Sequence, residues 1–141
     1  MPGLGGTSSH SLDAKGRIFF PARLREAMGE KLVILRSTKD CLMVFSEPGW
    51  EEFNERIHKL SFSKGLKIRN YFYHNMQECT IDGQGRVLLS ENLRAYAGLE
   101  KEVVVTGSEG YAEIWQPDRW NTYLASISTE DIESMMDEEG F

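Results

Sequence analysis

The chain contains the same passage twice. LDAKGRIFFPARLREAMG, from Leu12, returns as IDGQGRVLLSENLRAYAG, from Ile81. At an offset of 69, Asp13 falls on Asp82, Gly16 on Gly85, Arg17 on Arg86, Leu24 on Leu93, Arg25 on Arg94 and Gly29 on Gly98, and the same register reaches Pro48 and Pro117 without a gap. A repeat of this kind constrains the architecture before any single element does. Each copy spans about 40 residues, a size at which a lone unit seldom folds without metal, disulfide or partner. The 141 residues are therefore expected to form one mixed, β-rich α+β fold. Two half-sized units share its core about an approximate two-fold axis, with short helices flanking them.

The most readable local signal is Asp, two residues, Gly, Arg. A three-residue loop between strands commonly makes a type I turn followed by a left-handed residue, a conformation glycine tolerates best. Ala14-Lys15-Gly16 and Gly83-Gln84-Gly85 both place Gly third, so Asp13 and Arg17, and Asp82 and Arg86, are expected to flank the loops on paired strands. An Asp at the start also accepts hydrogen bonds from loop amides. After each loop the period changes from strand to helix. Pro21 suits a helix start, Ser90 an N-cap, and Gly29 and Gly98 C-terminal caps. LVILR with CLMVF, and EVVVT with YAEIW, read as hairpins, and Pro48 and Pro117 then open helices. Trp50, Phe53, Ile57 and Leu60 recur at helical spacing and read as core, as do Trp120, Tyr123 and Leu124. Residues 1–9, rich in Gly and Ser, are expected to be mobile. Residues 10–60 form the first repeat, 61–75 a linker helix, 76–128 the second repeat and 129–141 an acidic tail, disordered or a frayed helix. Burial against the sheet, rather than stacking on bases, is the expected role of Tyr71, Phe72 and Tyr73 in the linker.

The net charge of −6 runs against an anionic partner, but its distribution matters more than its sum. Six acids lie in the last 13 residues, and without them 16 bases and 16 acids cancel. From Asp13 to Lys39 there are seven bases against three acids, and from Arg56 to Arg69 five bases and no acid, whereas Asp82 to Arg119 is acidic. No stretch approaches the roughly 18 consecutive apolar residues of a membrane helix, and the opening MPGLGGTSS lacks the charged and apolar regions of a signal peptide. Cys41 and Cys79 lie in alternating apolar segments without a CxxC pattern, as expected of buried thiols in a reducing cytoplasm. His10, His58 and His74 show no pair at metal-binding spacing, and no nucleophile elbow, P-loop or dinucleotide fingerprint is present. No enzyme activity, cofactor, metal or small-molecule substrate is expected.

The repeated arginines are different. Arg17 and Arg86 each leave a tight loop onto a short strand, which gives the guanidinium a rigid stem. Such a group bridges phosphate oxygens or contacts guanine in two places, and the major groove admits a two-stranded β-ribbon. The competing reading is that each Arg only pairs with its cross-strand Asp, worth about 0.2–1 kcal/mol. Both hold together if the Asp fixes the stem and leaves donors free.

The doubled D-x-x-G-R within HSLDAKGRIFFPARLRE and CTIDGQGRVLLSENLRAY, with FSEPGWEEF echoed by IWQPDRW, resembles the MraZ family of bacterial regulators in the SpoVT–AbrB superfamily over residues 10–124. The resemblance implies two tandem AbrB-like swapped-hairpin units and a ring-like homo-oligomer. It also implies a nucleoid-associated regulator that binds double-stranded DNA at short G-containing direct repeats upstream of its own division and cell-wall gene cluster. It places the family's arginines on Arg17 and Arg86 and its paired aspartates on Asp13 and Asp82, with Gly16 and Gly85 structuring the loops. The start MPGLGGTSSH departs from the family's MFxGxxxH. Ser90 stands opposite Pro21 and Gln84 opposite Lys15, so the repeats are expected to be unequal. The first then supplies most phosphate contact through Lys15 and Arg17, with Arg23 or Arg25 as further candidates, and the second less, through Arg86. The alternative is an oligomeric assembly protein whose interlocked hairpins never meet DNA.

Overall fold

The computed structural model describes residues 4–141. In chain order the first copy contributes β1 (Thr7–Ser11), β2 (Arg17–Phe19), α1 (Ala22–Met28), β3 (Lys31–Arg36), β4 (Leu42–Ser46) and α2 (Glu47–His58), followed by α3 (Phe62–Tyr73). The second contributes β5 (Gln77–Thr80), β6 (Arg86–Leu88), α4 (Glu91–Ala97), β7 (Glu102–Gly107), β8 (Ala112–Trp115) and α5 (Pro117–Ala125), followed by α6 (Thr129–Glu138).

Both D-x-x-G-R turns form, but the expected hairpin ladders do not extend from them. Asp13 N donates to Arg17 O at 2.9 Å and Gly16 N to Asp13 O at 3.0 Å, and Asp82, Gly85 and Arg86 repeat these bonds at the same distances. Beyond the turns the strands part. β1 pairs antiparallel with β7 of the second copy, β5 pairs with β3 of the first, and β2 and β6 pair with each other. A six-stranded antiparallel sheet results, ordered β1-β7-β8-β4-β3-β5, beside the two-stranded β2-β6 ribbon. The order is palindromic in the repeat: the axis falls between β8 and β4 and between β2 and β6. β1 and β5 alternate half-buried and exposed polar residues, as suits short strands at the edges of a sheet.

The exchange gives the two copies one core. Leu32 and Ile34 of β3, Leu42 and Val44 of β4, Val103 and Val105 of β7, and Ala112 and Ile114 of β8 line one face of the sheet, where they meet Ile18 and Val87 from the ribbon and Leu24 and Leu93 from α1 and α4. The period-two alternation of strands turns Val33, Leu35 and Phe45 to the opposite face against Trp50, Phe53 and Phe72. In the second copy Val104 and Trp115 face Trp120 and Tyr123. The helical residues expected in the core are therefore found there, except Leu60 and Leu124, which are exposed. The caps also form: Ser90 accepts from Leu93 N, and Gly98 adopts a left-handed conformation. Tyr71 hydroxyl donates to Ser37 O at 2.5 Å, and Phe72 packs edge-on against Phe53.

The repeat register differs from the ungapped one read from sequence. Ser11 faces Glu102 where Thr80 faces Lys31, so β3 and β7 correspond at an offset of 71, not 69. Gly98 continues into Leu99, which is buried and donates its amide to Arg94 O at 2.9 Å; this longer helix exit adds the two residues. The β7–β8 turn then loses one, since Ser37 pairs with Cys41 O but Ser108 with Tyr111 O. Pro48 and Pro117 consequently occupy neighbouring, not equivalent, helical positions.

The N-terminal stretch also departs from expectation. Thr7–Ser9 lie in β1, and Leu4 is only 1% exposed. One apolar anchor outweighs a Gly- and Ser-rich composition; the remaining residues of the expected mobile stretch, 1–3, lie outside the described ones. Gly107 N donates to Gly6 O at 3.0 Å, and a Cβ on Gly107 would fall 1.0 Å from Leu4 O. Gly107→Ala is therefore expected to expel residues 4–6 and forfeit the burial of Leu4, about 1.5–3 kcal/mol. Thermal unfolding measures the loss, and an unchanged midpoint would contradict this packing.

Candidate nucleic-acid interface

Each turn is organised by one carboxylate. Asp13 Oδ1 accepts the Lys15 and Arg17 amides, both at 2.9 Å, and Oδ2 accepts Arg17 Nε at 2.7 Å. Asp82 repeats the arrangement with Gln84 N and Arg86 N at 2.9 Å and Arg86 Nε at 3.0 Å. Gly16 and Gly85 have φ of 86° and 80°, the left-handed region in which any other residue pays about 1–2 kcal/mol. A side chain there would also strike a neighbour: a Cβ on Gly16 would come within 2.9 Å of the Arg94 guanidinium, and one on Gly85 within 2.8 Å of that of Arg25. The turns are also stitched crosswise, because Leu89 N donates to Gly16 O and Phe20 N to Gly85 O, both at 2.9 Å.

The arginine stems are fixed and their ends are not. Nε is used on Asp13 or Asp82, and neither Arg17 nor Arg86 has a hydrogen-bond partner for its Nη groups among the described residues. Ile18 and Val87 point inward, so the outer face of the ribbon displays Arg17 and Phe19 from β2 and Arg86 and Leu88 from β6. Arg17 sits opposite Leu88 and Phe19 opposite Arg86. The arginines are thus diagonal neighbours, a relation that sets residues about 7–8 Å apart, or roughly two base-pair steps. Phe19 and Leu88, 55% and 53% exposed, complete the face. By composition IFF and VLL are uniformly apolar strands; period-two alternation from Arg17 and Arg86 is the signal that identifies their outward members. Gln77 also braces the ribbon, donating to Leu88 O and accepting Ser90 N.

Lys15 stands exposed at the tip of its turn, where the second copy has Gln84. Arg23 and Arg25 are engaged within the chain. Arg23 Nη1 donates to Gly5 O at 2.7 Å and Leu4 O at 3.3 Å, and Arg25 lies against Gly85 with a buried, unpartnered Nε. Its repeat counterpart Arg94 lies against Gly16 and bonds Leu89 O at 3.1 Å. Each turn is therefore backed by an arginine of the other copy.

Elsewhere, Cys41 and Cys79 are free thiols whose pKa values burial pushes up to about 12 and about 11. Glu113, buried between the copies, receives Lys39 Nζ at 2.9 Å and Trp115 Nε1 at 3.2 Å. Among the described residues no group of three or more His, Cys, Asp or Glu is placed to hold a metal, and no helix is long and apolar enough to cross a membrane.

Two half-units that complete each other by strand exchange, with a two-stranded ribbon displaying two arginines on their shared axis, define a tandem-repeat, β-rich, pseudo-symmetric protein. The chain belongs to the MraZ family. The family model described as "MraZ protein, putative antitoxin-like" matches it twice, over residues 4–69 and 72–139. The chain is 42% identical to the transcriptional regulator MraZ of Carboxydothermus hydrogenoformans over 94% of its own length and 96% of the relative's. It is 41% identical to that of Moorella thermoacetica, with 87% of each covered, and 34% identical to that of Alkaliphilus metalliredigens, with 96% and 97% covered.

The hydrogen bond from the Arg17 amide lowers the Asp13 pKa, and that from the Arg86 amide lowers the Asp82 pKa; the arginine side chains add to the effect. A depressed folded pKa means that the stabilisation is complete above the ordinary carboxyl value of about 3.9 and is lost as pH falls through the lowered one. Both carboxyl carbons, followed by NMR, are expected to titrate below that ordinary value, with the Lys15 and Gln84 amides losing exchange protection in the same interval. Titration at the unperturbed value would contradict the turn geometry.

Proposed function

We propose that this chain is a sequence-specific DNA-binding transcriptional regulator, and that the outer face of the β2–β6 ribbon is its DNA-contacting surface. The observation that carries the reading is the pair of arginines held by Nε on an aspartate, with both Nη groups of each left to an external acceptor. That state suits bidentate recognition of guanine or bridging of phosphates, and it lowers the ordering cost on binding. Lys15 adds a phosphate contact in the first copy alone. Arg23 is taken up by the carbonyls of Leu4 and Gly5, and Arg25 backs the Gly85 turn from behind. In this reading the target is a set of short G-containing direct repeats upstream of the chain's own division and cell-wall gene cluster. A ring-like homo-oligomer presents several ribbons to them, so that later contacts become intramolecular and a nearly neutral body still binds tightly.

Phe19 and Leu88 favour one competing reading, in which the same face is an apolar seam between subunits and the chain is an assembly protein that never meets DNA. Binding to one and to several G-containing repeats, titrated across salt concentrations, separates the two. The regulator should bind the array far more tightly than one repeat, with log affinity falling against log salt by about 0.9 per phosphate neutralised. Arg17→Ala and Arg86→Ala should each weaken array binding by about 1–3 kcal/mol for every base interaction removed. Lys15→Gln should reduce the salt slope by about one with less change in specificity. A salt-independent affinity, or arginine variants that bind as wild type, would favour the assembly protein.

A further inference from the structure

α6 has no counterpart to the packing of α3. Each follows the helix that closes its copy, α3 after α2 and α6 after α5. α3 buries Gly65 against α2 and sets Phe72 among Val33, Leu35 and Phe53. Every residue of α6 is exposed. Ten-residue helices are marginal in water on propensity alone. The Ser128 cap, which accepts Asp131 N at 3.1 Å, helps one end, but Asp137 and Glu138 lie at the other, where the helix dipole disfavours acids. The helix nonetheless has a defined apolar side: Ile132, Met135 and Met136 recur at i, i+3, i+4 and are all exposed, with five acids on the rest of its surface and no base.

The complement of that surface lies on α3. Phe62, 81% exposed, and Leu66 form an outward apolar stripe at i, i+4. The helix contains Lys64, Lys67 and Arg69 and no acid. An acidic helix with an unfilled apolar side and a basic helix with an exposed apolar stripe thus stand in opposite halves of a pseudo-symmetric body. We propose that α6 of one copy docks along α3 of the next, a head-to-tail contact with Met135 and Met136 against Phe62 and Leu66 and carboxylates facing Lys64 and Lys67. Such a heterologous contact generates a ring when its rotation closes and a filament when it does not. The inference rests on the proposed assembly of the chain and names the surface that performs it.

Light scattering on the full chain at near-physiological salt tests it. Lys64→Glu with Lys67→Glu, and separately Glu130→Lys with Glu133→Lys, should each reduce the assembled mass at least twofold; joining all four changes in one chain should restore it. Circular dichroism of each variant guards against misfolding, and restoration by the fourfold change excludes simple damage. An assembled wild type whose mass ignores both pairs, or whose mass the fourfold change fails to restore, overturns the α6–α3 contact but leaves the assembly itself standing. A wild type that is monomeric at tens of micromolar removes both. If instead the α6 pair leaves mass unchanged and alters affinity for random-sequence DNA at low salt, α6 covers the chain's own basic face and the inter-copy contact is wrong. Affinity for one G-containing repeat, measured alongside, should remain within about twofold of wild type in every variant.

Discussion

The pairing of β2 with β6 is the constraint on which the rest depends. Three residues in each strand do little by themselves, but they bring Ile18 beside Val87 at the centre of the core and force the chains entering the turns to leave in opposite directions. β1 must then pair with β7, and β5 with β3. Neither half could bury its own sheet face without the strand lent by the other, so the repeat is not two domains on a string. Both copies contribute to the main core, and unfolding one half would strip an edge strand and part of the ribbon from the other.

The same pairing turns two separate loops into one surface. Each D-x-x-G-R turn is locally complete, since a single carboxylate takes two amides and an Nε. Its position in space, however, comes from the other copy, through Arg94 behind Gly16, Arg25 behind Gly85 and the crossed amides of Leu89 and Phe20. Rigid stems with unsatisfied ends follow from this double support. Relatives across the family bear the name transcriptional regulator, and a stiff, partly satisfied pair of guanidinium groups is a physically economical way to meet an ordered array of acceptors.

Much of this was legible in the chain. Spacing located both turns, both left-handed glycines, the Asp–Arg partnership, the caps at Ser90 and Gly98 and the aromatic faces of α2 and α5, because these depend on neighbours within a few residues. Strand partners did not follow, since the bond between Asp13 N and Arg17 O closes the turn whether the flanking strands stay together or separate. The ungapped register failed for a similar reason: the buried Leu99 lengthens one helix exit by two residues and a turn shorter by one takes back half of that, so the prolines return to within one position of each other and conceal the shift. Composition misplaced Thr7–Ser9 because Leu4, a single apolar residue, decides the path of the segment around it. Arg23 and Arg25 have the sequence character of free surface charge, and only the fold brings the carbonyls of Leu4 and Gly5 and the turn at Gly85 beside them.

Covalent tandem arrangement also frees the ribbon from the identity that a dimer of identical chains imposes. A perfectly two-fold ribbon presents the same pattern after half a rotation and cannot distinguish one direction along a duplex from the other. Here Lys15 tips one turn and Gln84 the other, so the face has a front and a back. If the ribbon meets DNA as proposed, that polarity suits sites repeated head to tail, whereas a symmetric face suits palindromes. The departures from the repeat, Lys15 against Gln84 and Phe19 against Leu88, thereby give the face a sense of direction.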